Sequence, residues 1–412
     1  MKRIGNLWAS IVEPDNLRLA FWKASKGKRG RADQREFQAN LDMELARLRE
    51  GLIEGCYPIG HYNKFKIFDP KERQICAASF GERVLHHALM NVCEPYFDRR
   101  LIFDTYACRT GKGQWRAVAR ARQFAALHAW YLKCDIAKFF DSIPHAQLKM
   151  TLRKVFKDRI LLDWFERIVD TYSVEPGRGL PIGNLTSQHF ANLYMDKIDR
   201  LCGLHYVRYM DDFVFWADDK DALRAVLASV RMAADSLGLQ LKDSPEIRET
   251  RGGMDFLGMR VFPGRIRANR RSIRRYERRV AEVEMLHRFG RISEEELQGR
   301  VSAMTAFLQQ GGTLGWRRKF WGTRREASGS NRVMRGGSWN NDADNCRSSN
   351  RNNNTPSNDN NNNGFRLFCS AAPQGSELAV PSGFPSLKDQ GEYRCDSALV
   401  GRGPKITNRS FI

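Results

Sequence analysis

Apolar residues recur at intervals of three and four through "FQANLDMELARLREGLIEG" (37–55), "ERVLHHALMNVCEPYFD" (82–98) and "DALRAVLASVRMAADSLG" (221–238), the spacing of one buried helix face. Between them stand short apolar and aromatic runs, "WYLKCDI" (130–136), "HYVRYM" (205–210) and "FVFWA" (213–217), which read as strands. Interleaved from 61 to 262, the two patterns predict a mixed domain of the α/β or α+β kind. Further on, "NRRSIRRYERRVAEVEMLHRF" (269–289) and "SEEELQGRVSAMTAFLQQ" (293–310) predict two helices, the second opened by a Ser293/Glu296 capping box. Residues 1–60 read as a helical extension broken by a basic loop, "KASKGKRGR" (23–31), which is either a phosphate contact or a solvated linker. From about 327 the pattern lapses into Ser, Asn, Gly and Pro, with little means of building a core, so 327–412 is expected to be largely disordered.

With 412 residues and 42 % hydrophobic content, the chain can bury a core and hold two or three domains. A net charge of +21 favours an extended polyanion as partner, nucleic acid before any other. Much of that charge is concentrated: between 265 and 325, 16 Arg and Lys stand against 6 Glu. No apolar run reaches the roughly 18 residues that a membrane span needs, and the first twenty residues lack a signal-peptide core, so a cytoplasmic protein without a membrane partner is expected. The nine cysteines (56, 76, 93, 108, 134, 202, 346, 369 and 395) are scattered and never form a C-x-x-C pair, which argues against a disulfide framework or a zinc site and for mostly buried thiols.

The candidate chemistry sits at strand ends. In "YLKCDIAKFFDSIPH" a strand runs into Asp135, then into Phe139 and Phe140, before a helix start at Asp141-Ser142 with Pro144 placed early. In "HYVRYMDDFVFWADD" two strands flank Met210-Asp211-Asp212, a hairpin with two carboxylates at its tip. Taken alone, Asp-Asp between strands is ordinary turn chemistry. Together with Asp135 the pair becomes a set of hard oxygen ligands, the kind that holds two Mg²⁺ ions about 3.5–4 Å apart for phosphoryl or nucleotidyl transfer.

On those residues the chain resembles reverse transcriptases. "YMDD" at 209–212, preceded by the Asp135 segment, is similar to their palm; "RQICAASFGERVLHHALMNVCEPYFDRRLIFDTYACRTGKG" (73–113) is similar to the fingers blocks of the bacterial enzymes. "GLPIGNLTSQHFANLYMDKID" (179–199) resembles the template-and-nucleotide block and "GGMDFLGMRV" (252–261) the primer-grip block. The resemblance runs in order from about 60 to 325. It implies an α+β, right-hand polymerase: an N-terminal extension at 1–60, fingers and palm at 61–262, a basic helical thumb at 263–326 and a tail at 327–412.

The roles the resemblance implies fall on matching positions. Asp135, Asp211 and Asp212 become metal-binding carboxylates for two Mg²⁺ ions, with Mn²⁺ as a substitute, and the backbone carbonyl of Ile136 an added ligand; Asp211 is the more direct ligand of the hairpin pair. Phe140 becomes the bulky gate against a ribose 2′-hydroxyl, while Phe139 is expected to turn into the core because neighbouring strand residues face opposite sides. Arg73 is placed over the triphosphate, where its planar guanidinium can take two phosphate oxygens, or is a solvated surface arginine. Lys242 matches only loosely the position of a proton donor to pyrophosphate and is left unassigned. Arg265, Arg267, Arg270, Arg271, Arg274, Arg275 and Arg278 become duplex phosphate contacts in the thumb.

The template-and-nucleotide block narrows the resemblance. Where most reverse transcriptases carry Gln-Gly and later Ser-Pro, this chain has Ile182-Gly183 and Ser187-Gln188, similar to the enzymes of diversity-generating retroelements. An aliphatic side chain in place of an amide removes an orienting contact near the incoming nucleotide, so base selection should loosen; otherwise Ile182 only packs against the palm of an accurate enzyme. The implied partners are template RNA, the cDNA/RNA duplex, deoxynucleotides and a basic helical accessory oligomer, with no maturase or nuclease domain in the space available. Finally, "NRVMRGGSWNNDADNCRSSNRNNNTPSNDNNNNGFRLF" (331–368) resembles the end of a formylglycine-generating-enzyme-like C-type lectin domain, the kind such elements diversify. Asparagine codons begin with two adenines, so an enzyme that errs at template adenines would randomise these positions, and the stretch reads as a translated template repeat. Two rival readings stay open: a faithful bacterial reverse transcriptase of the retron or group II intron kind, and a nucleic-acid-binding protein with an inert palm.

Overall fold

A computed structural model describes residues 2–28, 30–68, 72–201, 203–242 and 245–326, together with two short strands at 332–335 and 351–354. The chain divides into two units, the first made of residues up to 257 with 261–265, the second of 258–260 and the residues from 266 on. The fold is mixed α+β, as the hydrophobic patterning predicts.

The first unit opens with four helices, α1 (Trp8–Ile11), α2 (Pro14–Ser25), α3 (Ala32–Ala39) and α4 (Leu41–Ile53), then a hairpin of β1 (Tyr62–Phe68) and β2 (Glu72–Ala78), in which Ile67 pairs with Arg73. A long helix, α5 (Phe80–Arg100), follows, its first turn capped by Ser79, which accepts from the Glu82 N–H at 3.3 Å. Next come α6 (Gln114–Leu127), strand β3 (Trp130–Asp135) and the helices α7 (Phe139–Ser142), α8 (His145–Val155), α9 (Arg159–Asp170), α10 (Leu185–Tyr194) and α11 (Asp196–Asp199). In α9 the apolar residues Leu161, Trp164, Phe165, Ile168 and Val169 fall at helical spacing and all are buried, while Asp158 caps the first turn.

The functional strands follow as β4 (His205–Tyr209) and β5 (Asp212–Ala217), then α12 (Lys220–Ser236) and β6 (Glu246–Glu249). They join β3 in a four-stranded sheet of order β4-β5-β3-β6. β3 and β5 are therefore the two central strands, and they run antiparallel with Asp135 opposite Asp212. Helix α12 packs on β3 and β5, and α6 on β4 and β5. Phe213, Val214, Phe215, Trp216 and Ala217 are consequently all buried, which explains an unbroken apolar run instead of the alternation of a one-sided strand.

A three-stranded sheet of β7 (Met254–Phe256), β8 (Met259–Phe262) and β9 (Arg265–Ala268) lies where the chain passes from the first unit to the second. The second unit holds α13 (Arg270–Arg288), α14 (Glu294–Gln309) and α15 (Leu314–Glu326) around a core that includes Tyr276, Val280, Val283, Leu297, Val301 and Trp321. Ser293 caps α14 by accepting from Glu296 N–H at 3.2 Å. Where the sequence predicts two helices in this region there are three, because the basic and aromatic α15 supplies the core through Trp321. Beyond it, β10 (Arg332–Arg335) pairs antiparallel with β11 (Arg351–Asn354). The remainder of the asparagine-rich stretch, and Cys202, Cys346, Cys369 and Cys395, lie outside the described residues. Of the other cysteines, Cys76, Cys93 and Cys134 are buried, Cys108 half-buried and Cys56 exposed. No helix among the described residues is long and apolar enough to cross a membrane.

Candidate active site

Asp135 is the last residue of β3, and its cross-strand partner Asp212 is the first of β5. On its other side Asp212 pairs with Tyr209 of β4, so Met210 and Asp211 form the whole two-residue turn of the hairpin. Met210 takes φ +59°, a backbone region that bulky side chains rarely adopt, whereas Asp211 does not have positive φ. Three carboxylates from two chain segments thus meet at one end of the sheet, because cross-strand partners on one face lie about 4.5–5.5 Å apart between Cβ atoms.

Burial comes first in the electrostatics of the cluster, followed by the charges of its neighbours. Burial pushes the Asp212 carboxyl up to about 6, against the opposing pull of Lys133. Asp211 is raised too, first by burial and then by the charge of Asp135, with Lys242 and Arg73 opposing. Lys133 Nζ pairs with Asp212 Oδ2 at 3.1 Å and donates to the Asp255 carbonyl at 2.9 Å. Lys242 Nζ pairs with Asp135 Oδ1. Asp212 Oδ1 is buried with no hydrogen-bond partner. A buried, unpartnered carboxylate oxygen beside two like charges is a donor set that suits a hard divalent cation, although among the described residues no group of three or more His, Cys, Asp or Glu is already gathered as a metal cage.

Ile136 follows Asp135 and bridges Leu241 through two bonds, Ala137 N–H to the Gln240 carbonyl at 2.8 Å and Lys242 N–H to the Asp135 carbonyl at 2.9 Å. Neither uses the Ile136 carbonyl, which in this pairing turns to the opposite side, that of the hairpin.

Residues 66–261 match the family model for reverse transcriptase (RNA-dependent DNA polymerase). The chain contains a reverse transcriptase domain. A second match, to the sulfatase-modifying factor enzyme 1-like domain, covers 292–371 and so begins at the start of α14, well ahead of residue 331. Among curated relatives, a putative COX1/OXI3 intron 2 protein of Saccharomyces cerevisiae is 21 % identical over 31 % of this chain and 16 % of its own length. Nuclear intron maturase 1 of Arabidopsis thaliana, a mitochondrial protein, is 29 % identical over 21 % of this chain and 12 % of its own, and a putative COX1/OXI3 intron 1 protein of the same yeast is 22 % identical over 47 % and 25 %. The chain therefore spans a quarter or less of the length of these relatives. Among solved structures, apo telomerase from Candida tropicalis is 12 % identical with a TM-score of 0.41, covering 65 % of this chain and 61 % of that one.

Within the reverse transcriptase domain the other singled-out residues take defined places. Arg73 is exposed on β2, and its charge is among those that act on Asp211. The carbonyl of Ile182 accepts from Cys76 N–H at 2.9 Å, tying that segment to the same strand. Gly183 takes φ +113°, and a Cβ there would stand 3.0 Å from Ile75 Cγ2, so a side chain is disfavoured on both counts. Gln188 lies on α10 and accepts from the Cys108 thiol at 3.1 Å. Phe139 is buried, as expected, and Phe140 is half-buried, but the reason differs: both sit on the short helix α7, preceded by Lys138 at φ +45°, and not on a strand. The helix accordingly starts at Phe139, ahead of Asp141-Ser142.

The arginines of the second unit divide. Arg270, Arg271, Arg274, Arg275 and Arg278 are on α13, whereas Arg265 and Arg267 are on the strand β9, a correction to their placement in a helical segment. Arg271, Arg274 and Arg278 form one exposed ridge opposite the face that buries Tyr276, Val280 and Val283; Arg278 also pairs with Glu282 at 3.3 Å.

Sequence reasoning passes over Lys133 and Arg208. Each looks like an ordinary strand residue; Lys133 reaches Asp212 on the neighbouring strand, and Arg208 reaches the carbonyl of Met210 two residues further along its own segment.

Proposed function

We propose that this chain is an RNA-directed DNA polymerase that copies a template RNA into adenine-mutated cDNA for the diversification of a protein gene. The observation that carries the polymerase reading is the convergence of Asp135, Asp211 and Asp212 at the end of two central strands inside the matched domain. Asp135, Asp211, Asp212 and the Ile136 carbonyl would hold two Mg²⁺ ions, which when bound activate a 3′-hydroxyl and neutralise the leaving pyrophosphate. The chain's own residues do the rest. Arg73 binds the triphosphate, Phe140 excludes a 2′-hydroxyl, and Ile182, Gly183 and Gln188 line the template-and-nucleotide segment. The arginines of β9 and α13 grip the phosphates of the duplex without sequence preference. In this reading 61–262 act as fingers and palm, 263–326 as the thumb, and a basic helical oligomer is the accessory partner.

The diversifying part of the proposal is supported by Ile182 and Gln188, and by an asparagine-rich stretch overlapping the sulfatase-modifying-factor-like match. On this account residues 331–368 are encoded by a template repeat, and their significance lies in the nucleotides. The test of the polymerase reading is incorporation of labelled deoxynucleotides on an RNA template with Mg²⁺: Asp211→Ala is expected to lower it by about a thousandfold or more. Equal incorporation by the variant would reject the assignment and favour an inert nucleic-acid-binding protein.

A further inference from the structure

The most completely bonded side chain near the turn is Arg208, on β4, two residues before Met210. It is fully buried, and all five of its guanidinium N–H groups are used. Nε and Nη2 donate to the two oxygens of Asp199, each at 2.6 Å. Nη2 also donates to the Asn192 carbonyl at 3.0 Å, and Nη1 to Asn192 Oδ1 at 2.7 Å. The remaining Nη1 bond, at 3.0 Å, goes to the carbonyl of Met210. Asp199, likewise fully buried, also accepts from the Tyr206 hydroxyl at 2.8 Å, and Asn192 Nδ2 donates to the Ala107 carbonyl at 2.9 Å.

An ion pair with Asp199 would satisfy charge alone; the fifth bond does something further. It reaches the first residue of a two-residue turn whose φ of +59° is unfavourable for methionine, and whose second residue is Asp211. The backbone of Arg208 is fixed as well, with its N–H donating to the Asp104 carbonyl at 3.0 Å and its carbonyl accepting from Tyr106 N–H at 2.9 Å. The anchor is therefore held through its backbone as well as its side chain.

We propose that Arg208 is a positioning residue for the reaction: its guanidinium holds the strained Met210–Asp211 turn in the conformation that sets Asp211 beside Asp135. This rests on the reading that Asp211 serves nucleotidyl transfer. A lysine at 208 keeps the charge opposite Asp199 but has three donors from one atom, so it cannot also span Asn192 and the Met210 carbonyl. Glycine at 210 adopts positive φ without strain and removes the need for the hold.

The experiment is a double-mutant cycle in the full chain with Arg208→Lys, Met210→Gly and the double variant, read in two ways. The first is backbone amide hydrogen exchange of peptides spanning 209–213; the second is RNA-templated DNA synthesis, with kcat and the KM for deoxynucleotide separated. Arg208→Lys is expected to speed exchange at 209–213 with the rest of the chain unchanged, and to lower kcat by about ten- to a hundredfold with little change in KM. Adding Met210→Gly should recover most of that loss relative to Met210→Gly alone. Should Arg208→Lys not fold, Asn192→Ala keeps the ion pair, removes one anchor of Nη1, and should show the same pattern more weakly. Unchanged exchange at 209–213, or a rate loss that glycine does not relieve, overturns the proposal and leaves Arg208 a purely structural ion pair. If the wild-type chain and Asp211→Ala synthesise no DNA alike, the polymerase reading fails, and the exchange arm still decides whether Arg208 holds the turn.

Discussion

Glu82 illustrates how one side chain couples stability to pH. It is buried in the first turn of α5, where Oε2 accepts from Gly60 N–H at 3.0 Å while Oε1 has no hydrogen-bond partner and faces His86 Nε2 at 3.7 Å. Burial pushes the Glu82 carboxyl up to about 7, against the hydrogen bonds from Gly60 and His61, and burial pushes His86 down to about 3. A carboxyl whose folded pKa is raised favours the folded state most when protonated. Its contribution is whole below the unfolded value near 4.5 and is lost as pH rises through 7, a change of about 3 kcal/mol. His86, held neutral, works in the opposite sense: its contribution is present above its ordinary value near 6.5 and declines as pH falls toward 3. Because the two groups offset one another below pH 6.5, the expected result is read as a difference: the urea midpoint of the wild type should fall relative to that of Glu82→Gln between pH 5 and pH 8.5. A difference between the two proteins that stays level across that range would contradict the assignment.

At the scale of elements, the α13 ridge of Arg271, Arg274 and Arg278 is the part of the account most open to measurement. If those side chains contact duplex phosphates, replacing all three by alanine should lower the slope of log affinity against log salt by about 2–3 for an RNA–DNA duplex. Fluorescence anisotropy over a salt series gives that slope, and an unchanged slope would assign the ridge to solvent. The elements themselves were legible to very different degrees. The Asp211–Asp212 hairpin could be read because strong apolar runs on both sides place the chain reversal at the acidic residues, although only Asp211 lies in the turn and Asp212 opens β5. The apolar pattern puts Phe139 and Phe140 on a strand, whereas a left-handed residue at Lys138, invisible in that pattern, lets a helix begin directly. Helix α15 leaves no clear signal in the sequence, since its arginines and aromatics lack an aliphatic stripe. Lys133 acts through a long side chain across strands, Arg208 reaches residues of α10 and α11 and the Met210 carbonyl, and the sequence spacing of 107 between Lys242 and Asp135 carries no local signal.

For the whole molecule, the division of labour between the matched domain and the asparagine-rich end is the central issue. The reverse transcriptase match ends at 261 and the sulfatase-modifying-factor-like match begins at 292, so the two overlap nowhere, and the second includes both α14 and α15. If the significance of 331–368 is in its nucleotides, a chain ending at Glu326 should synthesise DNA on RNA at a rate within about twofold of the full chain, since those residues contribute nothing to binding or chemistry. A large loss would make the segment part of the working protein. The most direct measurement is sequencing of the cDNA that the purified chain makes from a transcript of the asparagine-coding region, with Mg²⁺ and a basic accessory oligomer, and with Asp211→Ala/Asp212→Ala as the control. The account predicts cDNA from the wild type alone, with errors concentrated opposite template adenines; cDNA formed equally by the control, or formed with errors spread evenly over all four template bases, would contradict it.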